Sequence, residues 1–246
     1  MARLDTDPSM RHEFREANTS AGPTISVRGS VCKVLVWDVP TRLFHWVVVA
    51  LVVAAYVTWR LNWMDWHAKF GYALLTALVF RILWGFFGSE TARFSHFLTS
   101  PMAAARHLAN ALDREPDRQA GHNPAGGWMV LLLLFLLLVE TLSGIYVAND
   151  VADEGRFTEL IPAPIANIIT ALHSIFWDAL VAAVGLHILV IGVYAVVKGQ
   201  NLLSPMITGW KFFSSDVRPP RMAGLARAAL LLSWSVVAVA VLVNIL

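Results

Sequence analysis

His173 and His187 lie fourteen residues apart in one long apolar run, ITALHSIFWDALVAAVGLHILVIGVYAVV. In an α-helix that separation is a rise of about 21 Å and almost four full turns, so both imidazoles fall on nearly one face. His45 and His67 sit near the starts of two further apolar runs. Ionisable side chains in a bilayer are costly and usually functional. Neutral imidazole suits iron, and two axial histidines leave no open position for dioxygen. Four histidines at two matched depths therefore point to two haems stacked across a membrane, a centre for electron transfer.

Composition fixes the class in which this chemistry would sit. Of 246 residues 57% are hydrophobic and only 15% charged, with a mean hydropathy of +0.59. A soluble domain carries about a quarter charged residues, so this chain is solvated by lipid. The one cysteine, Cys32, excludes an internal disulfide, a cysteine-ligated iron–sulfur cluster and the C-x-x-C-H attachment of covalent haem. A net charge of +2 decides little, because charge placement matters more. No nucleic-acid partner is expected.

Five stretches are long enough to cross a hydrocarbon core, which takes about 20 residues. They are predicted near 43–61, 67–88, 128–148, 166–197 and 224–246. The fourth is overlong and has room to tilt. The fifth has no histidine and reads as an anchor or a partner-packing helix. No strand signal is evident, and an open sheet facing lipid would leave its backbone unsatisfied. The expected fold is an all-α integral membrane bundle, a four-helix di-haem core plus a fifth C-terminal transmembrane helix. Its expected divisions are a flexible arm over 1–32, the haem domain over 33–210, and a linker with the last helix over 211–246.

Positive residues orient the chain. Arg3, Arg11, Arg15, Arg28, Lys33 and Arg42 precede the first span. Arg93, Arg106, Arg114 and Arg118 follow the second, and Lys198, Lys211, Arg218, Arg221 and Arg227 follow the fourth. The other two connections hold only Arg60, Lys69 and Arg156. The positive-inside rule then places the N-terminus in the cytoplasm and the C-terminus outside. Residues 1–30 contain no apolar core of a signal peptide, so the first span is expected to direct insertion. This orientation pairs His45 with His187 on the cytoplasmic side and His67 with His173 on the outer side. The plain alternative for each histidine is an interhelical hydrogen bond. Zinc competes poorly, since its tetrahedral sites cluster more ligands than either pair offers.

Three segments carry a family resemblance: VWDVPTRLFHW before the first span, GSETARFSHF after the second, and GHNPAGGWMV before the third. Together they resemble the prokaryotic cytochrome b561 family, which includes the b-type cytochrome subunit of nickel–iron hydrogenases, over about residues 33–210. The resemblance implies axial ligands from the first, second and fourth spans, two of them fourteen apart on the fourth. Residue by residue these are His45, His67, His173 and His187. The fifth span departs from the four-helix pattern of the hydrogenase subunits and bears on which partner is used.

Other polar residues fit around this frame. Arg81 is fourteen residues after His67, on the same face. It reads either as a partner for a haem propionate or as a side chain snorkelling to the cytoplasmic interface. Arg42 allows the same two readings. Glu140 reads as a proton relay or as a bond to a neighbouring helix. His122 in GHNPAGG reads as part of a quinone or haem-edge pocket, or as a water-facing turn residue. His96 and His107 lie on an amphipathic stretch suited to the membrane surface, and His12 on the N-terminal arm; no chemistry is assigned to these three. The tryptophans crowd near predicted span ends, as an interfacial belt requires. Gly71, Gly144 and Gly185 near the ligands suit a flat porphyrin and, equally, close helix packing.

The function expected is electron transfer through two bis-histidine haem b groups in a bacterial inner membrane, between the quinone pool and a periplasmic partner. That partner is a hydrogenase-like subunit or a c-type cytochrome, which the acidic residues of loop 149–165 would steer. Two other classes stay open. One is a self-contained quinone-linked superoxide oxidase, for which Lys69 beside His67 is the only hint. The other is a non-redox anchor or transporter, although no internal repeat or broken span is evident.

Overall fold

The computed structural model describes residues 32–110, 119–147, 161–213 and 217–245. The N-terminal arm with His12, the residues Arg114 and Arg118, and the acidic positions Asp150, Asp153, Glu154 and Glu159 lie outside the described residues. A strand, β1 (Cys32–Leu35), leads into α1 (Val39–Arg60) and α2 (Met64–Phe87). A single 3-10 turn over Glu90–Ala92 and two short helices follow, α3 (Phe94–Phe97) and α4 (Pro101–Ala109). Then come α5 (Pro124–Gly144), α6 (Ala163–Val197), α7 (Leu203–Thr208), β2 (Trp210–Phe213) and α8 (Leu225–Ile245). Among the described residues, α1, α2, α5, α6 and α8 are long and apolar enough to cross a membrane.

The three helices α1, α4 and α5 begin a few residues ahead of their apolar runs for a local reason. Asp38, Ser100 and Asn123 stand just before them, and each side-chain oxygen accepts a backbone N–H of the first turn. The Thr41 and Gly126 amides donate at 2.7 Å to Asp38 and Asn123. A proline opens each of these helices where its missing N–H costs nothing. Between α1 and α2 the chain reverses within three residues. Asn62 takes the left-handed conformation there (φ 56°), which asparagine tolerates better than most residues.

The helices pack as two antiparallel hairpins, α1 with α2 and α5 with α6, joined along α2 and α5. The fifth helix lies against α2 and closes two apolar clusters, through Val239 on Leu75 and Ile145, and through Ala228 near Phe80 and Trp84. Its approach is latched outside the apolar spans. The Glu90 amide donates to the Arg221 carbonyl, the Arg221 amide donates back to Glu90 Oε2, and the Ala223 amide donates to Ser89 Oγ. The Arg221 amide holds the Glu90 carboxyl below the usual carboxylate range, against a smaller upward push from burial, and the charges of His96, Arg218 and Arg221 add to the lowering.

The bundle is the all-α one expected, with one addition that the sequence did not announce: β1 and β2 pair antiparallel, Cys32 opposite Phe213 and Leu35 opposite Trp210. Each strand has only four residues, and the two stand at opposite ends of the first four spans, so no local pattern announced them. Val34, Val36, Trp37 and Phe213 form their own apolar cluster. Gly209 leads into β2 at φ 88°, and its carbonyl accepts the Val36 amide at 2.8 Å. A Cβ there would stand 2.8 Å from the Trp37 carbonyl oxygen, so only glycine fits.

The core of the hairpin pair is a leucine layer. Leu74 and Leu78 from α2, Leu136 and Leu137 from α5, and Leu180 and Ala183 from α6 meet there, with Phe44, Val48, Leu51 and Val52 of α1 packed on them. Leu180, only 2% exposed, is seven residues from both His173 and His187. Two turns either way bring the helix face back round. The layer therefore separates two histidine levels.

Candidate functional site

At one level His67 opens α2 and His173 stands on α6. The two imidazoles are close enough to interact electrostatically. His67 Nδ1 is 2.9 Å from the Ala55 carbonyl oxygen on α1. A carbonyl only accepts, so Nδ1 carries the proton and Nε2 keeps its lone pair. His173 Nδ1 is 2.9 Å from Ser143 Oγ on α5, which can hold that ring in the same tautomer. Such contacts orient metal-binding histidines. Glu140 Oε1 stands 3.4 Å from His173 Nε2, so the helix-to-helix reading of Glu140 is the one observed. One nitrogen cannot serve both a carboxylate and an iron, and a metal at His173 requires Glu140 to give up this contact.

The other level holds His45 on α1 and His187 on α6, again within electrostatic range. His45 lies edge-on to Trp46, ring centres 4.9 Å apart, and its Nδ1 is buried without a partner. Next to this pair His122 lies in range of His187, and Arg81 lies in range of His122 in turn. Arg81, 3% exposed, donates from Nη1 to the Ala92 carbonyl at 3.2 Å and rests its guanidinium 5.4 Å from the centre of the Phe94 ring. It points into the fold, and the snorkelling alternative is set aside. Arg42 ties α1 to the Ile207 carbonyl of α7 instead of reaching a histidine level.

His122 is no water-facing turn residue. Its ring packs 4.6 Å from Trp37 and 4.9 Å from Phe97, and its Nδ1 is buried without a partner. Burial first, then the neighbouring Arg81 and His187, push its pKa down to about 3. It is neutral at any physiological pH. His107, to which the sequence assigned no role, pins α4 to the bundle: its Nε2 is 2.8 Å from the hydroxyl of Tyr194, which also accepts from Asn123 Nδ2 at 2.7 Å. Tyr194, 4% exposed, lies seven residues beyond His187 on α6. Ser143 and Tyr194 were both missed. The usable signal for each was one hydroxyl in an otherwise apolar run, in step with a histidine.

The donors can be tested against a metalloporphyrin. Among the described residues no group of three or more His, Cys, Asp or Glu could hold a metal ion alone. Paired histidines suit an iron whose other ligands come from a macrocycle. Space is also present at the His67 level: a Cβ added at Gly71, one turn after His67, meets nothing within 4 Å. At Gly144 a Cβ would come within 3.2 Å of the His173 ring, so glycine lets α5 approach that imidazole. The residues fit the group.

A multi-pass helical bundle with histidines paired at two levels is the architecture of a membrane cytochrome. The family model described as prokaryotic cytochrome b561 matches residues 36–209. The chain belongs to that family. It is similar to a protein of Azotobacter chroococcum mcd 1 named as a probable Ni/Fe-hydrogenase B-type cytochrome subunit, 25% identical over 74% of this chain and 90% of the relative. The equivalent Azotobacter vinelandii protein, under the same name, is 26% identical over the same shares. No solved structure matches. The chain is thus a multi-pass membrane b-type cytochrome, with haem b as its cofactor and electron transfer as its activity.

Proposed function

We propose that the chain carries two haem b groups, one held by His67 and His173 and the other by His45 and His187, and passes electrons between a periplasmic redox partner and quinone. The observation that carries this reading is the pairing itself. Each histidine of α6 lies within electrostatic range of one histidine from a different helix, and Leu180 stands halfway between the two levels. Irons about 21 Å apart by helix rise have nearer porphyrin edges, which suits stepwise hopping. The N-terminus is cytoplasmic on the positive-inside rule, so the His67 level faces the partner and the His45 level faces the cytoplasmic leaflet.

The relatives' name supports a hydrogenase-like partner over a c-type cytochrome. The superoxide oxidase reading would be favoured by a cationic hollow near the outer haem. The hollow of about 390 Å³ at the α1–α2 turn is lined by Asn62, Trp63, Met64, Asp65 and Trp66, and the Lys69 ammonium stands 4.7 Å over the Trp66 ring. The relatives' name is what supports the partner reading. Membranes containing the protein test it: hydrogen with the cognate hydrogenase, quinol, a reduced c-type cytochrome and superoxide are offered in turn. Reduction of both haems by hydrogen and reoxidation by quinone is the expected result. Reduction by superoxide alone, without any partner, contradicts it.

A further inference from the structure

Next to the His45 level stand donors that the protein's own contacts leave over. Arg81 is always charged and has five N–H donors, of which one bonds to the Ala92 carbonyl among the described residues. Its charge interacts with Asp38. Both oxygens of Asp38 are already engaged, Oδ1 by the Thr41 amide and Oδ2 by Trp84 Nε1 at 3.2 Å. The attraction is therefore through space and not a bidentate pair. A guanidinium this buried ordinarily needs a hydrogen-bonded anion.

His122 adds the second donor. It comes from the turn before α5, lies in range of both Arg81 and His187, and has a buried Nδ1 with no partner. Trp37 and Phe97 fix the ring from two sides, so this nitrogen cannot swing to water. A buried, partnerless ring nitrogen in range of His187 and an underused guanidinium in range of that ring make a donor set for one carboxylate.

We propose that His122 and Arg81 form a clamp for a carboxylate, a propionate of the haem held by His45 and His187. The inference rests on the two-haem reading and goes beyond it by assigning His122 a cofactor contact. His122 donates from Nδ1 and Arg81 supplies the charge. Because His122 adjoins Asn123, the cap of α5, the bound carboxylate also fixes the start of that helix.

The clamp is tested on the haem-loaded protein by spectroelectrochemical titration of each haem. His122→Phe keeps a ring between Trp37 and Phe97 and removes the donor. Arg81→Gln keeps the stem and removes the charge, and Arg81→Lys keeps the charge without the fork. Losing a donor to the propionate disfavours the reduced iron. His122→Phe is expected to shift the His45/His187 haem about fivefold toward oxidised, the equilibrium worth of one hydrogen bond. Arg81→Gln is expected to shift it about tenfold or more, 59 mV for a one-electron couple. Arg81→Lys retains part of that, and the other haem is unmoved.

The reduced-minus-oxidised infrared spectrum reads the same contact independently of how well the Arg81 variants fold. The propionate carboxylate band moves in His122→Phe. Haems present with unchanged potentials and an unmoved carboxylate band overturn the clamp and leave the two-haem reading standing. A wild-type protein without reducible haem overturns the reading itself.

Discussion

The two histidine levels are built on opposite plans. At the His67–His173 level hydrogen bonds do the orienting: a carbonyl and a hydroxyl, from α1 and α5, hold the Nδ1 atoms. At the His45–His187 level the His45 Nδ1 has no partner; instead His122, its own Nδ1 buried, lies in range of His187 and of the buried Arg81. The difference is one of preorganised ring against preorganised charge. Hydrogen bonds to a ligand's far side fix where it points, whereas nearby charge sets the potential of the metal it holds. A buried cation favours the reduced iron. The His45–His187 haem is therefore expected to have the higher potential, and electrons to run toward it from the His67–His173 level.

The largest effects come from breaking the levels themselves. His67→Ala and His173→Ala should each remove the same haem, and His45→Ala and His187→Ala the other, measured as haem per protein and by electron paramagnetic resonance. Loss of different signals from His67→Ala and His173→Ala would break the pairing. Next in size is the layer between the levels. Leu180→Ala leaves a cavity and should cost about 2–5 kcal/mol, seen as a lower unfolding midpoint. Both haems should keep their spectra.

A smaller effect separates the two plans. Ser143→Ala removes the partner of His173 Nδ1, and such losses lower metal affinity about 10–100-fold. Haem occupancy at the His67–His173 level should fall on dilution into detergent, while the other level holds. Equal loss at both levels would mean that the hydroxyl orients nothing.

The smallest effect lies at the latch of α8. Folding lowers the Glu90 pKa, so its contribution is present above the ordinary carboxylate range and is lost as pH falls through the folded value. Amide protection at Arg221 and Ala223, taken relative to the intrinsic exchange rate at each pH, should fall as pH is lowered through that range. In Glu90→Gln this protection should show little pH dependence.

Much of this was legible before any coordinates. Span number and type followed from apolar length, because a bilayer tolerates few alternatives. The His173–His187 spacing needed only helix geometry, and depth from charge placement supplied partners that the structure brings into range. What stayed hidden depends on long-range meetings. β1 and β2 are four-residue strands that find each other across the chain. Ser143 is ordinary until α5 lies beside His173. His122 looked like a turn residue because nothing near it in sequence shows that Trp37 and Phe97 enclose it. Periodicity puts Arg81 on the face of His67, but its bond to the Ala92 carbonyl was not readable.

The bundle is expected to hold two bis-histidine haems, one at each level. Haem b per protein, determined on the purified chain together with its low-temperature electron paramagnetic resonance spectrum, tests it most directly. The expected result is two haems per chain, both low-spin with two imidazole ligands. A single haem, or a high-spin centre with an open axial position, would contradict it.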